Sequence, residues 1–114
     1  MSPTARSLAY LRKRGAVAAV VERYNPHAKR RVDLFGFIDI VAVEPGHRGV
    51  LAVQTTSASN QASRLHKIAQ EPRAALWVAA ENRIAVHGWS KRGARGKRKV
   101  WTLTERIVTG AASS

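Results

Sequence analysis

Asp39 is the residue whose type and position in this sequence point most clearly to chemistry. It interrupts the apolar run at residues 37–43, and such a run predicts a strand that is buried on both faces. A lone carboxylate in a buried strand is costly unless it is paired or binds a cation. Two interpretations follow: Asp39 accepts an ion pair from one of the arginines, or it belongs to a metal or catalytic site.

Gln54 and Thr56 form a second polar feature, at the point where the apolar strand predicted over residues 50–55 ends. Side chains two residues apart on a strand point to the same face of the sheet. If this strand pairs with residues 37–43 as a hairpin, Asp39 and Gln54 lie close together. A carboxylate, an amide oxygen, a backbone carbonyl and water suit a hard cation such as Mg²⁺. The alternative is a strand that runs out into solvent.

The elements that must position these residues follow from the hydrophobic periodicity, the helix caps and the turn residues. The predicted helices are residues 4–14, capped by Thr4, and 57–70. The predicted strands are residues 16–24, 37–43, 50–55, 74–80, 82–89 and 99–105. Basic loops are expected at residues 29–31 and 90–97. This order predicts an α/β fold in which helices flank a mixed central sheet.

The charge of the chain indicates a polyanionic partner. Twenty Lys and Arg face seven Asp and Glu, which gives a formal net charge of +13. Such an excess opposes compaction by self-repulsion, and nucleic acid, an anionic membrane surface or an acidic protein would neutralise it. The expected nucleic-acid contacts are the cations of the first helix end, the basic loops and the second helix: Arg12, Lys13, Arg14, Lys29, Arg30, Arg31, Arg64, Lys91, Arg92, Arg95 and Lys97. Each of these groups could equally be a solvated surface.

Several classes of protein are excluded or disfavoured. No apolar run approaches the roughly 20 residues that span a bilayer, and the N-terminus lacks the apolar segment of a secretion signal. The absence of cysteine excludes disulfide scaffolds and Cys-ligated metal sites. We therefore expect a cytoplasmic protein without a membrane partner.

A family resemblance rests on two short segments. Residues 36–39 (Gly-Phe-Ile-Asp), a short connection, and then residues 51–56 (Leu-Ala-Val-Gln-Thr-Thr) resemble the core motif of the PD-(D/E)XK nuclease superfamily. Residues 8–15 resemble the opening helix of its Holliday-junction-resolvase-like members. The resemblance implies a restriction-endonuclease-like α-β-β-β-α-β core, here with an extra C-terminal hairpin. We expect one nuclease-like domain over residues 1–108 and a disordered tail over residues 109–114.

The resemblance also assigns roles. It implies that Asp39 and Gln54 hold a divalent metal, Mg²⁺ or Mn²⁺. Many members have a further acid near the first helix, and Glu22 is the nearest candidate here, followed by Asp33. Thr56 stands where the family has a lysine, which is a departure from the pattern.

Lys67, on the second predicted helix, is the best substitute for that lysine, and Arg64 lies one turn earlier. A catalytic set of Asp39, Gln54, Lys67 and Glu22 would make the chain a metal-dependent DNA endonuclease, with junction or other branched DNA as one substrate class. The alternative is a catalytically inactive nuclease-fold module that binds nucleic acid. An RNA-binding or ribosome-associated protein is a third reading, for which no motif is present. The sequence leaves open whether the chain forms a homodimer.

Overall fold

The computed structural model describes residues 1–108 of the 114-residue chain. Its helices are α1 (Pro3–Lys13), α2 (Gln61–Ala69) and α3 (Pro72–Ala79), and a 3-10 turn at Ala58–Asn60 precedes α2. Its strands are β1 (Val17–Val20), β2 (Arg23–Asn25), β3 (Arg30–Val32), β4 (Ile40–Val43), β5 (Leu51–Ser57), β6 (Arg83–Arg92) and β7 (Val100–Val108). The tail expected over residues 109–114 lies outside the described residues.

A five-stranded mixed sheet organises the fold, in the order β1-β4-β5-β6-β7. Its strand pairs are antiparallel except β5 and β6, which run parallel because α2 and α3 carry the chain back across the sheet. Strands β2 and β3 form a separate two-stranded hairpin. The predicted mixed α/β fold is confirmed at this level.

Two apolar clusters hold the helices to opposite faces of the sheet. Leu11 of α1 packs with Leu51 and Val53 on one face. Ile68 of α2 packs with Ile84 and other residues on the second face, where α3 also lies. The alternating directions of side chains on β5 and β6 supply both clusters. The sheet is therefore the middle layer of three, and its strand ends are where polar side chains can meet.

The strand predicted over residues 74–80 is wrong, because this segment is helix α3. Pro72 occupies the first turn, where a missing N–H does no harm, and the Glu71 carboxylate accepts from the N–H of Arg73 as the N-cap. The segment is rich in Ala and Leu, which favour a helix. The most buried residues, Ala74, Trp77 and Val78, follow helical spacing. The core strand that follows the crossover is β6, so β6 also forms the first half of the C-terminal hairpin.

The other differences concern the chain before β4. The strand predicted over residues 16–24 is broken into β1 and β2, and the basic loop at residues 29–31 contributes Arg30 and Arg31 to β3. The long strand predicted over residues 37–43 is reduced to β4, because a tight turn precedes it: Gly36 N–H donates to Asp33 O at 3.1 Å. Asp39 therefore lies just before β4 and not in the middle of a strand.

The C-terminal hairpin is longer than predicted, since β6 extends to Arg92 and β7 begins at Val100. The basic loop is consequently residues 93–99 and not 90–97. Across residues 1–108, the structure contains no helix that is long and apolar enough to cross a membrane.

Candidate metal centre

A cleft of about 430 Å³ opens at the ends of β4 and β5. The start of α1, strand β3 and one face of α2 complete its walls. We call it the acidic cleft, and its lining residues are Thr4, Glu22, Arg30, Arg31, Val32, Asp33, Gly36, Asp39, Gln54, Thr55, Arg64 and Lys67. The structure thus brings all four of the predicted catalytic residues, Asp39, Gln54, Lys67 and Glu22, to one cavity.

Backbone and side-chain hydrogen bonds fix Asp39. Its own N–H donates to Val53 O at 2.9 Å, which holds it beside β5. Its Oδ2 accepts from the N–H of Thr55 at 2.8 Å and from Thr55 Oγ1 at 3.2 Å. Thr55 Oγ1 also lies 2.7 Å from Thr4 Oγ1, so the first turn of α1 supports the same carboxylate. Asp39 is only 4% exposed.

Three carboxylates crowd together in the cleft. Glu22, Asp33 and Asp39 each offer an oxygen, and these oxygens lie within 4.8 Å of one another. Glu22 comes from the break between β1 and β2, and Asp33 from the residue that follows β3. The two-stranded hairpin therefore delivers two acids to a point beside the main sheet.

The crowding changes the acidity of Asp39. Burial raises its pKa to about 8, and the hydrogen bond with Asp33 and the negative charges of Asp33 and Glu22 act in the same direction. The hydrogen bond from the Thr55 N–H opposes this rise. Near neutral pH the cluster therefore retains a proton at Asp39, and a divalent cation would compete with that proton for the same oxygens.

Gln54 completes the donor set. It is 2% exposed, and its Nε2 donates to Asp33 Oδ2 at 3.0 Å. Its Oε1 is buried and has no hydrogen-bond partner within residues 1–108. Gln54 lines the acidic cleft. Carboxylate and amide oxygens are the ligands that Mg²⁺ and Mn²⁺ prefer, so the donor set fits such a cation.

The remaining acids of residues 1–108 all contact a basic side chain. Glu44 contacts Arg14 and Arg83, while Glu71, Glu81 and Glu105 contact Arg73, Arg48 and His87 respectively. In the cleft, Glu22 has a longer contact of 3.7 Å with Arg31. Within the described chain, neither Asp33 nor Asp39 forms a salt bridge, although the sequence contains 20 Lys and Arg.

Four cations also line the cleft: Arg30, Arg31, Arg64 and Lys67. Arg64 is half-buried, and Lys67 is exposed. Thr56, at the position where the motif resemblance places a lysine, is 6% exposed and is absent from the lining, whereas its neighbour Thr55 is present. The positively charged side chains that line the cleft therefore come from β3 and α2.

The other predicted nucleic-acid contacts lie away from the cleft. Arg12 Nη2 donates to Ala18 O at 3.0 Å, and Arg14 contacts Glu44 at 3.4 Å and lies over the Tyr10 ring. These residues are about 12 Å along α1 from Thr4. Lys13 shares this end of the helix. The remaining predicted contacts lie in the β2–β3 turn (Lys29) and in the exposed part of the β6–β7 hairpin (Lys91, Arg92, Arg95 and Lys97).

Sequence reasoning missed the contributions of Thr4 and Thr55. Thr4 was predicted to cap α1, but Ser2 does so by accepting from the N–H of Ala5, which leaves the Thr4 hydroxyl free for Thr55. Strand alternation singled out Gln54 and Thr56 and passed over Thr55 between them. The run Gln-Thr-Thr at the end of β5 was the available signal for this polar end.

A second cluster contains Ser7, His87 and Glu105, and we call it the histidine network. His87 Nδ1 lies 2.9 Å from Ser7 Oγ, and His87 Nε2 lies 2.7 Å from Glu105 Oε2. Trp89 Nε1 donates to Ser7 Oγ at 2.9 Å. Ser7 and His87 are 0% exposed, so no substrate can reach the hydroxyl. The network joins α1 to β6 and β7 and has a structural role.

Comparisons of the chain with protein-family models, with curated proteins and with solved structures give no match. The interpretation of the acidic cleft therefore depends on its geometry and on the chemistry of its residues.

Proposed function

We propose that this protein is a metal-dependent DNA endonuclease, and that Asp39, Glu22, Asp33 and Gln54 hold Mg²⁺ or Mn²⁺ in the acidic cleft. One observation carries the proposal: Asp33 and Asp39 crowd together without a salt bridge in a chain with 20 Lys and Arg. Carboxylates so placed raise the free energy of the fold, because burial and mutual repulsion oppose ionisation. A divalent cation would offset both effects.

The order of elements supports the same proposal. Helix α1 is followed by three antiparallel strands of the main sheet, β1, β4 and β5, and then by a helical crossover to the parallel strand β6. This is the order expected of a restriction-endonuclease-like α-β-β-β-α-β core, with the β2–β3 hairpin inserted after the first strand. In such a core, Asp39 at the start of β4 and Gln54 on β5 occupy the positions at which the motif residues belong.

The residues of the cleft have distinct tasks in this proposal. When bound, the metal would stabilise negative charge on the scissile phosphate and acidify a water molecule. Thr55 and Thr4 hold the Asp39 carboxylate in place through their hydrogen bonds. Lys67 takes the part of the missing lysine, placing positive charge against the phosphate, and Arg64 adds to that charge from the previous turn of α2.

The charge distribution favours DNA as the partner. The net charge is +13, and residues 91–101 of the β6–β7 hairpin are all exposed. A basic exposed hairpin can follow a phosphate backbone, which carries most of the affinity of proteins for DNA. If about 6–10 phosphates are contacted, affinity should fall about 10³–10⁵-fold between 50 and 200 mM salt.

Cleavage of end-labelled junction, flap, duplex and single-stranded DNA tests the proposal directly. We expect products with Mg²⁺ or Mn²⁺, none with EDTA, and a loss of about 10³-fold or more for Asp39→Asn, because the metal's contribution is several kcal/mol. Glu105→Gln is the matched control: it also neutralises one carboxylate, but outside the cleft, and should cleave normally. Equal cleavage by the wild type and Asp39→Asn would remove the cleft from the reaction.

A second candidate function is a DNA-binding module without catalysis, which the placement of Thr56 outside the cleft favours. Lys67→Ala separates the two functions. If Lys67 replaces the missing lysine, this variant should lose most of the cleavage rate while Mg²⁺ still raises the melting temperature of the protein. Salt-sensitive DNA binding by the wild type without any metal-dependent product would establish the binding module instead.

A further inference from the structure

A second hollow of about 490 Å³ adjoins the acidic cleft. It shares Val32 and Asp33 with the cleft, so the two cavities border each other at these residues. We call it the aromatic hollow, and its lining includes Arg23, Tyr24, Phe35 and Arg73. Its volume lies within the range of about 300–1,000 Å³ that is usual for small-ligand sites.

Two aromatic side chains of the hollow are exposed. Tyr24 is 60% exposed and Phe35 is 45% exposed. Neither belongs to the two buried apolar clusters, so the fold does not require these rings for its core. Exposed aromatic rings beside a polar cleft are typical of binding surfaces.

The backbone at Phe35 is strained. Phe35 has φ 54° and Gly36 has φ 81°, in the tight turn between Asp33 and β4. Glycine adopts this conformation freely, whereas a bulky residue does so at a cost of order 1 kcal/mol. Strain of this kind is concentrated at ligand sites. The turn thus holds an aromatic ring in a position that stability alone would not select.

The charge of the hollow matches a nucleotide. Arg23 lines it beside the two rings, Arg73 lines it while paired with Glu71, and Arg30 and Arg31 line the adjoining cleft. Aromatic faces and guanidinium planes stack on bases, while guanidinium groups also bind phosphate. Asp33 is the acid that the hollow contains, and it belongs to the metal-binding cluster at the shared border.

We propose that the aromatic hollow binds an unpaired nucleobase of the DNA strand whose phosphate occupies the acidic cleft. The substrate class is then DNA with unpaired nucleotides beside the cut, and not continuous duplex. A base inside a duplex is already stacked, and extruding it costs a few kcal/mol, whereas an unpaired base enters the hollow without that cost. This inference rests on the proposed function for the phosphate position.

Binding in EDTA tests the inference without cleavage. Two labelled DNAs of equal length are compared: a continuous duplex, and the same duplex with one unpaired 2-aminopurine. We expect the wild type to bind the second DNA about tenfold more tightly, because stacking of one base contributes about 1–3 kcal/mol. The fluorescence of 2-aminopurine should also be quenched when the base stacks on a ring.

Variants assign the effect to the hollow. Tyr24→Leu combined with Phe35→Asn should abolish both the preference and the quenching while duplex affinity is unchanged, and asparagine tolerates the backbone of Phe35. Tyr24→Trp should retain both. Val17→Ala is the control, since Val17 is also an exposed apolar residue (77%) but lies on β1 and lines neither cavity.

Two results would overturn the inference: equal wild-type affinity for the two DNAs, or a preference that survives in the Tyr24 and Phe35 double variant. Cleavage is scored separately. A preference that depends on the hollow, without any metal-dependent cleavage, supports the inference and counts against the endonuclease. Normal cleavage with no preference counts against the hollow alone.

Discussion

The acidic cleft and the histidine network are both polar clusters built around carboxylates, yet they differ in how completely their groups are partnered. In the network, one neutral tautomer of His87 satisfies every group: Nε2–H donates to Glu105, and Nδ1 accepts from Ser7, whose oxygen accepts from Trp89. In the cleft, Gln54 Oε1 has no partner among residues 1–108, and three carboxylates repel one another. Missing hydrogen-bond partners and uncompensated charge therefore distinguish a candidate ligand site from a structural cluster.

The acidities of the two clusters express the same difference. The hydrogen bond with His87 holds the pKa of Glu105 below its usual range, against the opposing effect of burial. Burial and neighbouring acids raise the pKa of Asp39 to about 8. Residue type alone therefore does not identify a site, since Ser, His and Glu together would suggest hydrolysis in an exposed pocket.

Breaking the histidine network should produce the largest loss of stability. His87→Ala leaves Ser7 and Glu105 without their shared partner and removes a fully buried ring. We expect the free energy of unfolding to fall by about 3–5 kcal/mol. Urea denaturation measures this change. If the variant does not fold, Ser7→Ala gives a smaller version of the same effect, about 1–3 kcal/mol.

The next largest effect is expected in the pH dependence of stability, which should differ between the acidic cleft and the histidine network. Asp39 has a pKa of about 8 in the folded state against an ordinary value of 3.8, so the folded state binds the extra proton between these values. Stability in EDTA should therefore fall as the pH rises from about 4 to 8, and Asp39→Asn should flatten that fall. Denaturation curves at pH 5, 6.5 and 8 measure the difference. Identical slopes for the two proteins would contradict the raised pKa.

Glu105 contributes with the opposite sign. Its lowered pKa stabilises the fold above the ordinary glutamate value of 4.5, and this contribution is lost as the pH falls through the lower, folded-state pKa. As the pH falls, protonation of Asp39 therefore increases the stability of the fold, whereas protonation of Glu105 decreases it.

Relieving the crowding should have a moderate effect. Asp33→Asn removes a negative charge that opposes ionisation of Asp39, so at pH 8 in EDTA we expect stability to rise by about 1 kcal/mol. The same change should weaken the stabilisation by Mg²⁺, because one of the proposed ligands becomes neutral. Melting temperatures with and without Mg²⁺ test both effects. A variant that is less stable in EDTA would show that Asp33 is structurally required.

The smallest effect is expected for Glu105→Gln. The glutamine oxygen can still accept from His87 Nε2, and the Glu105 side chain is 28% exposed, so solvent screens part of the lost charge. We expect a loss of about 1 kcal/mol or less. Mg²⁺ should stabilise this variant as it does the wild type, and a weakened response to Mg²⁺ would mean that the two clusters are coupled.

Much of the fold follows from local patterns in the sequence. Helix α1, the pairing of β4 with β5, and helix α2 were all predicted, because their apolar spacing and flanking turn residues agree. Residues 74–80 were assigned wrongly because a short apolar run is compatible with a strand or a helix, and only Pro72 and Glu71 distinguished them. The β2–β3 hairpin was missed, since its strands are short, polar and exposed.

The candidate site was predictable where single residues stood out against their surroundings. Asp39 interrupts an apolar segment, and Gln54 ends one, so both were identified. Asp33 was only a second choice, because its approach to Asp39 depends on the inserted hairpin and not on local spacing. The contact of Thr4 with Thr55 was not predicted, since the two residues are 51 positions apart in the sequence.

One contact of Arg12 has a consequence for the behaviour of the protein in concentrated solution. Strand β1 lies at the edge of the main sheet, and Val17, on this strand, is 77% exposed. An open apolar edge invites a strand from another molecule, and natural proteins often block such edges with a long cation. Arg12 does so here by donating to Ala18 O, within the same strand. A residue that the sequence assigned to DNA thus protects the chain from self-association, and in its absence the edge strand would be a starting point for aggregation.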